Sequence, residues 1–358
     1  MSKSEHKPFF NSHRYVYKSI TIRKFGANLN YKIMAAAVVV ICVIVGALVY
    51  VEYPYRTNPK LQISTTTSLY DTGLLDNIAS YYQQNYGVNL FFIQAGTGQA
   101  IQYAKDGNAD LVLVHSPSTE NTFMQVDNVG VVRKIIAYNF FTIVGPAADP
   151  AGIENKSPID ALKAIAAAGR AGNAKWVSRG DNSGTHTKEK SLWTKAKYSP
   201  DNLVENNGSW YISASSGMGA TLTMANQLGA YTISDIGTYL KFQGDGLINL
   251  KKFSENVQDL LNVYSVMAIN PTLHPELDFG RAVDFIEFLV SDEGQNFIGN
   301  FGVSDYGRSL FYPTVRLLKE NTDPTIAGWI RSYAFFSYDN AKWECPPPYR
   351  AGQDNLYL

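Results

Sequence analysis

From Leu61 onward, short apolar runs alternate with stretches of helical period. Leu61–Thr65 reads as a strand and Gly73–Tyr86 as a helix; Val88–Ile93 and Ala100–Lys105 repeat the pair. Asp110–Val114 carries Leu-Val-Leu-Val and reads as a buried strand, with Val131–Ala137 and Phe140–Val144 as two more. The turn-rich stretch 145–153 breaks this series, since Gly, Pro and Asp punctuate regular structure. A second series follows: helix Ile159–Ala168, strand Lys175–Val177, helix Lys188–Ala196, helix Gly219–Gly229, helix Thr232–Lys241 with Ser234 as N-cap, strand Val263–Ile269 and amphipathic helix Phe279–Val290. The alternation predicts an α/β protein with a mainly parallel sheet. Phe140–Val144 and Val263–Ile269 fall where the chain would cross between two blocks. That spacing predicts two lobes around a cleft: residues 60–140 with 268–312, and residues 141–267. Residues 313–358, rich in Trp and Tyr and holding Pro346-Pro347-Pro348, read as an aromatic C-terminal tail that packs on the body or docks a partner.

One segment does not belong to this alternation. Met34–Val51 is uncharged and apolar, close to the ~20 residues that cross a bilayer. Residues 1–33 hold seven Lys or Arg against Glu5, a net of +6, so the part beyond residue 51 carries (31 − 7) − (31 − 1) = −6. Basic residues before the span predict a cytoplasmic leader over 1–33, a transmembrane anchor over 34–51 and a body outside the cell. A cleaved signal peptide is the rival reading, with Val45-Gly46-Ala47 as a site; both readings export the body. The acidic body argues against nucleic acid as partner. Cys42 and Cys345 lie in different compartments on this reading and form no disulfide framework. The histidines show no metal-ligand spacing.

The candidate chemistry lies in three turns, each at a strand-to-helix junction. Residues 64–68 are Ser-Thr-Thr-Thr-Ser, residues 96–99 are Gly-Thr-Gly-Gln, and residues 178–186 are Ser-Arg-Gly-Asp-Asn-Ser-Gly-Thr-His. A helix start offers unpaired N–H groups and the positive end of the dipole. Hydroxyls and glycines allow close approach, and a guanidinium adds a planar fork of donors. The combination grips a small oxyanion without a metal. Asp71 reads as a helix-start residue, and Arg179 alone would read as a surface partner of Asp181.

The ordered series Thr65-Thr66-Thr67-Ser68, Gly96-Thr97-Gly98-Gln99-Ala100, Leu113-Val114-His115-Ser116-Pro117, Ser178–His186, Gly217-Met218-Gly219-Ala220-Thr221-Leu222 and Gly229-Ala230-Tyr231-Thr232 resembles the tungstate-binding proteins of ABC importers over roughly residues 60–312. The resemblance implies a two-lobed periplasmic-binding-protein fold of type II. It also implies capture of tungstate, or molybdate, and its delivery to an ABC permease driven by an ATPase. Arg179-x-x-x-Ser183-Gly184-Thr185 also resembles the anion loop of phosphate-binding proteins. The basic leader and the tail depart from the family pattern.

The resulting site has Thr66, Thr67, Ser68, Thr97 and Gly98 on one wall, and Arg179, Ser183, Gly184 and Thr185 on the other. Met218 and Gly219 add backbone N–H groups. No catalytic residue, metal or cofactor is assigned. His115 and His186 lie near the motifs, but no nucleophile elbow or metal spacing accompanies them. A phosphate or sulfate receptor of the same fold, and an exported phosphate- or sulfate-ester hydrolase, stand as alternatives.

Overall fold

The computed structural model describes residues 31–52, 58–199, 208–254, 256–346, 350, 352 and 355–357. The chain divides into two compact units, Met1–Thr57 and Asn58–Leu358. In the first, α1 (Tyr31–Glu52) forms over the apolar run. Its described side chains, at Tyr31 and 34–44, are exposed. Among the described residues no helix is long and apolar enough to cross a membrane. The leader up to residue 30 lies outside the described residues.

The second unit begins with β1 (Lys60–Thr66), a short α2 (Thr67–Asp71) and α3 (Leu74–Tyr86). Next come β2 (Asn89–Ala95) with α4 (Thr97–Lys105), and β3 (Leu111–Val114) with α5 (Pro117–Asn121). The long β4 (Gly130–Gly145) leads to α6 (Pro158–Arg170), β5 (Trp176–Ser178) and α7 (Gly184–Lys195). Then follow β6 (Tyr211–Ser213), α8 (Met218–Leu228), β7 (Thr232–Asp235), α9 (Ile236–Gly244) and β8 (Lys251–Ser254). The chain returns through β9 (Leu261–Ile269) to α10 (Phe279–Val290), α11 (Asp292–Asn300), α12 (Val303–Tyr306) and β10 (Tyr312–Pro313). It closes with α13 (Val315–Glu320), α14 (Pro324–Ala334) and the hairpin β11 (Phe336–Tyr338), β12 (Ala341–Trp343).

The main sheet runs β10-β4-β9-β3-β1-β2, and β7 and β8 pair with β4 as well. The first half of β4 pairs with β9, and residues 141–145 pair with β7 and β8. β1 is parallel to β2 and β3, whereas every pairing of β4 and β9 is antiparallel. The expected mainly parallel sheet is therefore a mixed one. The strands that carry the chain out and back oppose each other, so they oppose their neighbours too. Val131–Ala137 and Phe140–Val144 are one strand, not two. Asn139 interrupts the apolar pattern, yet it is buried and bonded: its Oδ1 accepts from Asn262 Nδ2 at 3.0 Å. A buried amide with partners does not break a strand.

Three further expectations are corrected. Thr232–Lys241 is a strand followed by a helix: Thr232–Asp235 is β7, and Asp235, not Ser234, caps α9 by accepting from Thr238 N at 2.9 Å. Pairing with β4 overrides the local helical pattern. Asp71 ends α2 instead of starting a helix, because Thr66 takes the N-cap and accepts from Leu69 N. The helix expected from Lys188 begins earlier, at Gly184, with Ser183 as its cap.

The tail is built into the body. Val315, Leu318, Ile330 and Tyr357 share a core with Phe140, Trp176 and Trp193; burying each such side chain contributes about 1.5–3 kcal/mol. Tyr357 Oη accepts from Ile135 N and donates to Ile135 O, at 2.6 and 2.7 Å. Lys134 and Glu344 pair at 2.7 Å, both buried.

Candidate anion-binding site

Four helices start around Arg179. Helix α2 starts at Thr67, α4 at Thr97, α7 at Gly184 and α8 at Met218. Each follows an extended N-cap residue: Thr66, Gly96, Ser183 or Gly217. The starts are in mutual reach. A β-carbon built on Gly184 would lie 3.1 Å from Thr97 Oγ1, and one on Gly217 would lie 3.7 Å from Thr67 Oγ1. One on Gly96 would lie 3.6 Å from Ser183 N. First-turn amides have no intrahelical acceptor, and the dipoles put partial positive charge at each start.

Arg179 ties these starts together and is 1% exposed. Its Nη2 donates to Thr67 Oγ1 at 2.9 Å and to Asp181 Oδ2 at 2.6 Å, and Nη1 donates to Thr185 Oγ1 at 3.4 Å. Its Nε is buried without a hydrogen-bond partner, and so is Thr97 Oγ1. An orphaned buried donor costs about 1–3 kcal/mol, more for a charged one. Two such atoms among helix starts fit an anion that accepts from both.

The hydroxyls divide into two kinds. Thr185 Oγ1 accepts from Arg179, and Ser183 Oγ accepts from His186 N at 3.2 Å, so each keeps its own proton to donate. Thr67 likewise accepts from Arg179. Ser68 differs: its Oγ lies 3.2 Å from His115 Nε2 and 3.4 Å from Thr66 Oγ1. Thr66 spends its oxygen on capping Leu69 N. The Ser68 hydroxyl is therefore turned to His115 within the protein, whereas Thr66, which accepts from Leu69 N as Ser183 accepts from His186 N, keeps its own proton.

Two further glycines of the expected wall differ in their surroundings. Gly98 is exposed, and a β-carbon there would meet nothing within 4 Å, so its lack of a side chain does not serve close approach. The amide of Gly219 is engaged by the Asp71 carboxylate, which helps hold down an acid that burial pushes up. A β-carbon on Gly219 would lie 2.4 Å from Phe242 Cζ, so packing requires this glycine. Met218 is buried at the start of α8, directly after Gly217, whose built β-carbon lies 3.7 Å from Thr67 Oγ1.

The fold adds residues that the donor motifs did not mark as a site. His115 Nδ1 lies 2.9 Å from Asn262 Oδ1, and Asn262 Nδ2 donates to Asn139 Oδ1 and Tyr264 Oη. With the Asn262 oxygen turned to His115, Nδ1 carries the proton and Nε2 accepts from Ser68. Burial lowers the His115 pKa to about 4, and the nearby Arg179 acts in the same direction. A neutral imidazole thus links α2 to the paired strands β4 and β9. Glu189 accepts from Trp176 Nε1, Ser178 Oγ and Tyr211 Oη at 2.8, 3.0 and 2.7 Å, bracing β5 and β6 against α7. Burial raises its pKa and these bonds oppose the rise. Asp235 is raised to about 6, chiefly by burial, against its bonds to Thr238 and the field of Arg179. His115 stood in a motif; its partner Asn262 and the brace Glu189 had no local signal.

Residues 55–293 match the PBP superfamily domain. A tungstate-binding protein TupA from Peptoclostridium acidaminophilum is 39% identical over 251 residues, covering 70% of this chain and 84% of that protein. One from Campylobacter jejuni is 35% identical over 233 residues, covering 64% and 83%. Among solved structures, the tungstate ABC transporter structure from Geobacter sulfurreducens has a TM-score of 0.60 at 39% identity, covering 68% of this chain and 98% of that one. The tungstate-binding protein TupA from Desulfovibrio alaskensis G20 also has a TM-score of 0.60, at 38% identity, covering 72% and 99%.

Proposed function

Because the chain belongs to the PBP superfamily, and within it to the family of the tungstate-binding proteins, we propose that it is the extracytoplasmic substrate-binding protein of an ABC importer. It captures tungstate, or molybdate, and hands it to the permease without turnover. The observation that carries this reading is the buried Arg179 guanidinium with Nε unpartnered, beside the unpartnered Thr97 Oγ1 at four helix starts. Tungstate and molybdate are dianions at neutral pH and accept hydrogen bonds only, so donors and positive dipoles suit them. We assign Arg179, Thr67, Thr97, Ser183 and Thr185 as side-chain donors. Gly98, Gly184 and Met218 supply first-turn amides.

Lobe 1 comprises residues 60–140 with 268–312, and lobe 2 residues 141–267, with β4 and β9 as the crossings. The apolar helix α1 anchors the protein to the membrane with the leader in the cytoplasm. Alkaline extraction of membranes tests this: an anchored chain stays in the pellet, and release into the supernatant refutes the anchor.

A phosphate receptor is the second reading, favoured by one observation. Asp181 Oδ2 sits 2.6 Å from Arg179 Nη2, where it would accept from a protonated phosphate. Calorimetric titration of the full-length protein with tungstate, molybdate, sulfate and phosphate decides between them. Tight one-to-one binding of tungstate supports the first reading; preference for phosphate replaces it; no heat from any anion removes the oxyanion site.

A further inference from the structure

A groove of about 250 Å³ lies against the site on the side of His115 and Gly184. These two residues are in its lining and meet each other, with a β-carbon built on Gly184 lying 3.0 Å from His115 Cε1; we take that contact as the inner end. Behind them stand Ser68, 3.2 Å from His115 Nε2, and Thr97, whose Oγ1 is 3.1 Å from a β-carbon built on Gly184. The groove is thus one side-chain layer from the anion site. The rest of its lining includes Ser116 ahead of α5, Lys188 and Ser191 of α7, Tyr333 of α14 and the crossing strands β4 and β9.

The electrostatics of the groove run against those of the body. Residues 52–358 carry a net charge of −6, by the count of 24 basic against 30 acidic residues. No Asp or Glu is among the lining residues, while Lys188 is. Lys188 Nζ donates to the Asp259 backbone carbonyl at 3.1 Å and lies 5.6 Å from the Phe141 ring centre. An ammonium has three donors, so this single bond leaves donors for a ligand. The Asp259 carboxylate pairs directly with Lys195 at 2.5 Å, and only its field reaches Lys188. Burial lowers the Lys188 pKa to about 8, with Lys195 acting in the same direction and Asp259 opposing; the amine is still mostly protonated at neutral pH.

We infer that this groove is the access route of the oxyanion, and that Lys188 is a transient anion-capture residue on it, distinct from the residues that hold the bound ligand. The inference rests on the receptor reading above. A repulsive body makes a carboxylate-free path valuable, because a cation in a cleft raises the local anion concentration and the association rate. Displacing the His115–Gly184 contact opens the inner end. Lys188 stabilises the ion on the way in and on the way out, so it governs rates more than equilibrium.

The test is stopped-flow tryptophan fluorescence of the full-length protein with tungstate, across a salt series, for the parent, Lys188→Met and Ser191→Trp. Lys188→Met should slow association about tenfold at low salt and flatten its salt dependence. Dissociation should slow in parallel, leaving Kd within about threefold. Ser191→Trp, which fills the outer groove, should slow both rates without changing the salt slope. Parent-like association in both variants overturns the inference. So does a weaker Kd that arises from faster dissociation alone, since that marks Lys188 as part of the bound state. Failure of the parent to bind tungstate at equilibrium instead refutes the receptor reading, and the access route falls with it.

Discussion

Arg179 Nη2 donates to Thr67 Oγ1 at 2.9 Å across 112 positions of sequence. That bond joins the start of α2 to the loop that precedes α7, and it brings the guanidinium against both donor-rich turns. Replacing Arg179 should therefore cost affinity beyond the loss of one charge. Arg179→Ala is expected to weaken tungstate binding by about 2–5 kcal/mol, roughly 30- to 4,000-fold. Arg179→Lys should recover only part, because the ammonium lacks the planar fork. Calorimetry, with a thermal melt to confirm folding, checks both; equal affinities for the parent and Arg179→Ala would remove Arg179 from the site.

Gly184 and Gly98 make opposite predictions. A methyl on Gly184 would lie 3.0 Å from His115 Cε1 and 3.1 Å from Thr97 Oγ1, inside the proposed site. Gly184→Ala should lower affinity about tenfold or more while the protein stays folded, since a shift of a few tenths of an ångström misplaces the donors. Gly98→Ala projects into open space and should keep parent affinity, because only its amide is used. The ratio of the two dissociation constants is the readout, and a similar loss in both would contradict the assignment.

His115 and Asp235 should give stability slopes of opposite sign with pH. The folded pKa of His115 is about 4 against 6.5 ordinarily, so between these values the unfolded chain binds more protons. Its contribution to stability is complete above pH 6.5 and falls by about 3 kcal/mol as the pH drops to 4. Asp235 is raised from 3.8 to about 6, so the folded chain binds more protons there. Its contribution instead falls by about 3 kcal/mol as the pH rises through the same window. Urea unfolding at pH 4.5, 5.5 and 7 should show the acid loss reduced by His115→Gln and enlarged by Asp235→Asn, each relative to the parent. Unchanged slopes in both variants would refute these two assignments.

Glu344 and Lys134 pair with nearly complete burial. Glu344→Ala leaves a buried ammonium without its partner, at a cost of about 3–5 kcal/mol. The double change Lys134→Met with Glu344→Leu removes both charges and should restore most of that loss. Urea midpoints of the two variants check this. Equal destabilisation in both would mean that shape, not charge, sets the role of this contact.

Much of the fold was legible because its signals are local. The run Leu111–Val114 had to be buried, and Phe279–Val290 had to present one apolar face; both are elements of the body. Thr232–Asp235 was misread because its strand character depends on pairing with Phe141–Val144, far away in sequence. Val131–Ala137 and Phe140–Val144 read as two strands because Asn262, the partner that lets Asn139 be buried between them, lies 123 positions on.

The sequence by itself determined the kind of chemistry. Glycines, hydroxyls and an arginine at strand-to-helix junctions produce donors wherever such turns fold, since unpaired first-turn amides are a local property of helices. Only the tertiary structure decided which donors remain available. It spent Ser68 on His115 and the Gly219 amide on Asp71, and it left Arg179 Nε and Thr97 Oγ1 without partners. Those assignments depend on contacts between residues distant in the chain, and no local pattern encodes the distance at which two side chains meet.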